Sequence, residues 1–207
     1  MKIFLYILAA ICGYVISGIN PAIALSKGIY KKDVRECGSG NPGFTNFKRA
    51  FGNRWAWCVL ILDLSKAGLV VGLFAWLLYR QGADFQIAAA YTGMFCMLGH
   101  AFPFQYNFKG GKGFLVCLSS VYIVDWRVGL IATGIMLVLL LTTKYMSLST
   151  TLAMLSCPIL MIPFGASVRS ILMVTVSVIF MAIRHKENFK RLIQGKESKF
   201  TLKSKKQ

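Results

Sequence analysis

The stretch Gly38-Ser39-Gly40-Asn41-Pro42-Gly43 places three glycines among six residues, between two strongly apolar runs. Glycine adopts positive φ and lets a backbone approach a ligand closely. Successive backbone N–H groups in such a turn form a concave nest for an anion. Ser39, Asn41, Thr45 and Asn46 add uncharged donors, and Lys48 and Arg49 follow with positive charge. The set suits a phosphate or phosphate ester; a plain glycine-rich turn is the competing reading. The spacing is neither a P-loop nor a dinucleotide fingerprint.

A second loop, Gly99-His100-Ala101-Phe102-Pro103-Phe104, runs into Phe108-Lys109-Gly110-Gly111-Lys112-Gly113 and opens an apolar helix. Lysines at a helix N-terminus oppose the helix dipole, a conflict that a bound anion relieves. Asp63 and Lys66 stand at i,i+3 on one face of an apolar helix, either as an internal ion pair or in contact with a ligand. Ser147, in Tyr145-Met146-Ser147-Leu148-Ser149-Thr150, either caps a helix or meets the same ligand. His185 and Asn188 are i,i+3 in a basic segment, where His185 titrates near neutral pH and offers a base or a phosphate donor. Neither histidine begins an HxxxxD sequence, because Gln105 and Lys190 hold the fifth positions, and no GxSxG elbow or carboxylate pair is present.

These residues interrupt a chain of 207 residues that is 56% hydrophobic, with mean hydropathy +0.60. Soluble domains are about 45–50% apolar, and here the apolar residues come in long runs with few charges, the pattern of membrane-spanning helices. The expected spans are Ile3–Leu25, Trp55–Tyr79, Phe85–Gly99, Phe114–Val124, Trp126–Thr142, Leu148–Ile162 and Val168–Ile183. The segment 114–142 is divided at Asp125-Trp126-Arg127 because only then do most Lys and Arg fall on one side, as the positive-inside rule requires. This predicts an all-α bundle of about seven short transmembrane helices, N-terminus outside and C-terminus cytoplasmic, with 1–207 a single domain and 184–207 a basic cytoplasmic tail. The net charge of +17 then reflects cytoplasmic loops and not nucleic-acid binding. Cys12, Cys58, Cys96, Cys117 and Cys157 read as small core residues, with neither a disulfide framework nor a metal site.

Three long blocks, in this order, resemble the signatures of the bacterial integral-membrane acyl phosphate:glycerol-3-phosphate acyltransferases, the PlsY family. GSGNPGFTNFKRAFG is similar to that family's GSGNxGATNxxR, GHAFPFQYNFKGGKG to GHxFPxFxxFKGGKG, and RHKENFKRLIQGKE to RHxENxxRLxxGxE. Phe44 stands where the family usually has Ala, and Ala67 where Gly is usual. The resemblance implies an enzyme of the bacterial inner membrane, multi-pass and with its site on the cytoplasmic face, acting in phospholipid synthesis. It would transfer a fatty acyl group from acyl phosphate to the 1-hydroxyl of glycerol 3-phosphate, releasing 1-acylglycerol 3-phosphate and phosphate. It implies no metal and no organic cofactor, a membrane-lipid setting, and as partner the soluble enzyme that makes acyl phosphate.

Carried onto these positions, Ser39, His185 and Asn188 are the catalytic candidates. The substrate phosphates would be held by Gly38, Gly40, Asn41, Gly43, Thr45, Asn46, Arg49, Lys66, Lys109, Gly110, Gly111, Lys112 and Ser147. An acyl phosphate is an activated mixed anhydride, so the hydroxyl attacks directly, and its proton goes to His185 or to the substrate's own phosphate. An acyltransferase using acyl-CoA is the nearest alternative. An organic-anion transporter fits less well, since no internal repeat is present and the polar residues gather on one face.

Overall fold

The computed structural model describes residues 1–201 and is all-helical. Ten α-helices follow one another among the described residues: α1 (Lys2–Gly18), α2 (Pro21–Tyr30), α3 (Phe44–Phe51), α4 (Ala56–Arg80), α5 (Phe85–Ala101), α6 (Phe114–Val124), α7 (Trp126–Thr143), α8 (Met146–Met161), α9 (Val168–Arg184) and α10 (Lys186–Ile193). Short 3₁₀ turns at Val34–Glu36 and Phe104–Tyr106 stiffen the first and second loops. Helix α5 is the centre of the bundle and packs against α1, α4, α6 and α9, while α7 and α8 pair beside it.

The surface carries what a soluble protein would bury. Ile7 and Ile11 of α1, Leu69 and Leu73 of α4, Leu137 and Leu141 of α7 and Ile159 of α8 are exposed. The interior is built from small side chains, among them Ala9, Ala67, Ala75, Ala88, Ala89 and Ala90. In a bilayer, lipid is as apolar as Leu, so helices associate by close backbone approach through Gly, Ala and Ser. Gly99 is the sharpest case, because a Cβ there would run into the backbone of Tyr14 on α1. Gly93 of α5 faces α6, where a Cβ would lie 2.8 Å from that of Ser120. Among the described residues, four helical stretches are long and apolar enough to cross a bilayer, or five when α9 and α10, bent by 51°, count as one. Helix α6, with 11 residues, is only about 16 Å long, half of the ~30 Å hydrocarbon core.

Two breaks shape the bundle. The expected span Ile3–Leu25 falls within Lys2–Tyr30, one stretch long and apolar enough to cross a bilayer, which is interrupted at Ile19-Asn20 between α1 and α2. Asn20 is extended, its side chain accepts from the Ile23 N–H at 3.0 Å, and Pro21 opens α2 with no N–H of its own to satisfy. The Asn20 amide also donates to the Pro42 carbonyl at 3.0 Å, which ties this break to the first loop. The second break falls at Asp125, whose extended backbone ends α6 and whose carboxylate caps α7 through the Arg127 N–H at 3.0 Å. Without that break the loop at Lys144 would not return to the end of the bundle where the other polar loops lie.

Replacing Gly99 with Val should lower thermal stability in detergent by about 1–3 kcal/mol or more, since the obstruction is backbone and cannot rotate away. Gly134→Ala on α7, where a Cβ meets nothing within 4 Å, should leave the melting temperature unchanged or raised. Equal effects at the two sites would contradict the packing described.

Candidate active site

The first loop is shaped from within by two side chains. Asp33 takes a two-pronged contact from Arg35, at 3.0 Å from Nε to Oδ1 and 2.7 Å from Nη2 to Oδ2, with Lys27 at 3.1 Å. The hydrogen bonds from Arg35 hold the Asp33 carboxyl well below the usual carboxylate range. Arg35 also donates to the Tyr106 carbonyl at 3.1 Å and so joins the first loop to the second. Asn46 is buried, and its side chain is fully engaged. Its Oδ1 accepts from the Ser39 N–H at 2.9 Å, and its Nδ2 donates to the carbonyls of Cys37 at 2.9 Å and Val34 at 3.1 Å. Gly38 has φ +55°, and a Cβ there would strike Asn46 Oδ1. These bonds leave the Ser39 side chain exposed, with Asn41 and Thr45 part-buried, around the start of α3, where no side chain caps the helix.

The second loop is held at its base. The Gly110 N–H donates to the Ala101 carbonyl at 3.2 Å and the Gly111 N–H to the His100 carbonyl at 3.0 Å. Arg184 on α9 donates to the Gly110 and Gly111 carbonyls at 3.0 and 3.3 Å. This differs from the expectation that these two glycines offer amides to phosphate: both amides are already used on the end of α5. Their lack of a side chain is still required, since a Cβ on Gly110 would meet the His100 carbonyl oxygen and one on Gly111 the His100 ring. Lys66 differs as well. Its ammonium lies 2.9 Å from Asp63, donates to the Ile19 carbonyl at 2.8 Å and lies 3.2 Å from His100 Nδ1. Lys109 is exposed, and its carbonyl accepts from Arg35 at 3.5 Å.

Beyond that base, side chains from four elements converge. Lys112 donates to the Asn188 carbonyl oxygen. The Asn188 amide donates to Glu197 Oε1 at 2.7 Å, the Ser147 hydroxyl to the same oxygen at 2.8 Å, and Arg191 Nε to Oε2 at 2.9 Å. Burial works to raise the Glu197 carboxyl, but the bonds from Asn188, Ser147 and Arg191 outweigh it and hold it below its ordinary value. Burial, followed by the positive charges of Arg191, Arg184 and Arg49, brings the Lys112 ammonium down to about 8 against the pull of Glu197. Lys112 therefore sits among three arginines, with the Glu197 carboxylate nearby, at the edge of an apolar bundle, a field that attracts a further anion.

His185 is buried just past α9, where its Nδ1 lies 2.9 Å from the Met181 carbonyl. A carbonyl only accepts, so Nδ1 carries the proton and Nε2 keeps its lone pair. Burial is the main cause of a ring pKa near 4, so His185 is neutral at physiological pH. Phe44 packs against Trp57, with ring centres 5.4 Å apart, and against Phe200 at 6.5 Å. Among the described residues, no three His, Cys, Asp or Glu side chains gather as metal ligands.

The structure brings together Arg49, Lys112, Ser147, Asn188 and His185, with Ser39, Asn41 and Thr45 on the adjoining loop. Sequence reasoning missed Arg184, Arg191 and above all Glu197. Its signal was a lone acidic residue closing RHKENFKRLIQGKE, the basic block whose other members were singled out.

Known proteins resemble this chain along nearly its whole length. The family model described as glycerol-3-phosphate acyltransferase matches residues 7–195. A glycerol-3-phosphate acyltransferase of Finegoldia magna is 33% identical over 201 residues, covering 95% of this chain and 96% of its own. One of Aquifex aeolicus is 34% identical over 198 residues, covering 96% and 98%. The crystal structure of PlsY (YgiH), an integral membrane glycerol 3-phosphate acyltransferase in its glycerol 3-phosphate form, superposes with a TM-score of 0.85 at 31% identity, over 97% of this chain and 96% of that one. With the family model, the near full-length relatives and the shared fold in accord, this multi-pass membrane chain belongs to the glycerol-3-phosphate acyltransferase family.

Proposed function

We propose that this protein transfers a fatty acyl group from acyl phosphate to the 1-hydroxyl of glycerol 3-phosphate, at the cytoplasmic face of a bacterial inner membrane. The observation that carries the reading is the gathering of Arg49, Arg184 and Arg191 around Lys112 at the rim of an apolar bundle, where Glu197 is ion-paired with Arg191. Both substrates of such a reaction bear phosphate, and the acyl chain of one belongs in lipid. The chain reads as one domain, residues 202–207 of its basic tail lying outside the described residues, with seven helices crossing the bilayer and the N-terminus outside. The charge distribution supports this: Lys27, Lys31, Lys32, Arg35, Lys48, Arg49, Arg54, Lys109, Lys112, Lys144 and Arg184 gather at one end, while Lys2, Arg80, Arg127 and Arg169 lie at the other. Helix α6 crosses only where its ends are covered by protein or the bilayer thins.

The donor is already activated, so no enzyme nucleophile is required. The glycerol 1-hydroxyl attacks the acyl carbonyl, the carbon–oxygen bond to phosphate breaks, and the hydroxyl proton ends on the departing phosphate. Ser39, Asn41, Thr45 and the amides at the start of α3 hold the donor phosphate and stabilise the charge that develops on it. Arg49, Lys112, Ser147 and Asn188 orient glycerol 3-phosphate and supply proximity. A ring with a pKa near 4 is a weak base, so His185 serves as a neutral hydrogen-bonding partner and the substrate's phosphate takes the proton. Asn46, Gly38, Gly40, Gly43, Lys66, Lys109, Gly110 and Gly111 shape the loops that place these groups. The partner this implies is the soluble enzyme that makes acyl phosphate.

Purified protein given labelled glycerol 3-phosphate should form lysophosphatidate from acyl phosphate, with phosphate released one for one, and not from acyl-CoA or acyl-carrier protein. Product from acyl-CoA alone would favour the other donor class, and no product from any donor would overturn the reading. The charge of Lys112 makes a second prediction. Its ammonium is present below about 8 and lost above it, so kcat/KM for glycerol 3-phosphate should fall as pH climbs through that value, by up to about tenfold per unit. Lys112→Arg, whose guanidinium stays charged, should remove that fall even where it lowers activity; an unchanged profile would contradict the assignment.

A further inference from the structure

The last described residues run back across the site. After Glu197 the chain crosses α3, where the Ser198 carbonyl accepts from Arg49 Nη2 at 3.2 Å and the Thr201 carbonyl accepts from Lys48 Nζ at 2.6 Å. Between them, the Phe200 N–H donates to the Lys144 carbonyl at 2.7 Å, at the turn that leads to Ser147. The Phe200 ring lies under the Lys48 ammonium at 4.7 Å and beside the Phe44 ring at 6.5 Å. The segment thus touches three of the elements that build the site, and Phe44 is the position at which this sequence departs from the resembling block.

We propose that residues 197–201 form a strap over the phosphate site, latched by Phe200 on Phe44 and Lys48, and that Phe44 and Phe200 are positioning residues for Arg49 and Glu197. This rests on the reading of the site given above. An aromatic face held between a ring and an ammonium fixes a short backbone segment more firmly than its few hydrogen bonds alone. Fixing it sets where Glu197 meets Ser147, Asn188 and Arg191. It also holds the Arg49 guanidinium beside the loop, on a carbonyl that a substrate phosphate replaces. On this view the bulk of Phe44 is turned away from the phosphate and toward the strap.

The test uses the full-length protein in detergent, as wild type, Phe44→Ala, Phe200→Ala, the double variant and Phe200→Tyr. Hydrogen exchange of the segment 197–201 reads the latch with no need of activity, and steady-state kinetics read its effect. Either alanine variant should speed exchange of the Phe200 amide and raise KM for glycerol 3-phosphate about three- to tenfold. Turnover should stay within about twofold and the melting temperature should be unchanged. The double variant should be no worse than the singles, and Phe200→Tyr should behave as wild type. Unchanged exchange in Phe44→Ala overturns the latch; faster exchange with unaltered KM overturns the positioning role. A wild-type protein that transfers from no donor overturns the acyl-transfer reading instead, and exchange alone then decides the latch.

Discussion

The buried contact between Asp63 and Lys66 settles a problem that any broken helix poses in a bilayer. Where α1 ends at Gly18, the carbonyl of Ile19 lies past the last helical turn, at a break that deprives it of a helical partner. Lys66 supplies the missing donor at 2.8 Å, and Asp63 at 2.9 Å offsets the cost of an ammonium among apolar helices. His100 completes the group at the end of α5, and its carbonyl receives the Gly111 N–H that seats the second loop. One ion pair thereby fixes the relative placement of the first break, the central helix and the loop that carries Lys112.

Above that hub the electrostatics change sign. The rim holds several cations, and there Glu197 accepts from Ser147, Asn188 and Arg191. The arrangement is preorganised at a cost, seen in the Lys112 ammonium being brought down to about 8 by burial and by neighbouring arginines. On the proposed reading a dianionic phosphate would relieve that cost as it binds, and affinity would come from charges already gathered. The bundle that carries the rim has an outer surface rich in Ile and Leu, as a lipid-facing protein requires.

Much of the fold was legible because hydropathy is a local property. The boundaries of α4 to α9 follow the apolar runs, and the placement of Lys and Arg alone points to the break at Asp125. The site was legible in part: Ser39, Arg49, Lys112 and Asn188 stand out by type and spacing. What stayed hidden depends on partners distant in the chain. Gly110 and Gly111 look like phosphate-binding amides until the carbonyls of Ala101 and His100 are seen to take them. Asn46 looks like a free donor, but Val34 and Cys37 take both of its N–H groups and Ser39 donates to its oxygen. Glu197 lies nine residues past Asn188 in a charged tail, and nothing local tells it apart from a solvated surface residue.

The central claim is that Lys112 and its neighbours form a phosphate-binding site and not merely a basic cytoplasmic patch. Equilibrium binding of radiolabelled glycerol 3-phosphate to purified wild-type protein and to Lys112→Met tests it without reference to the acyl donor. Loss of a charge-assisted bond of about 1.5–3 kcal/mol predicts affinity lower by about 10- to 100-fold in a variant that melts as the wild type does. Equal affinity in a folded Lys112→Met protein would contradict the account.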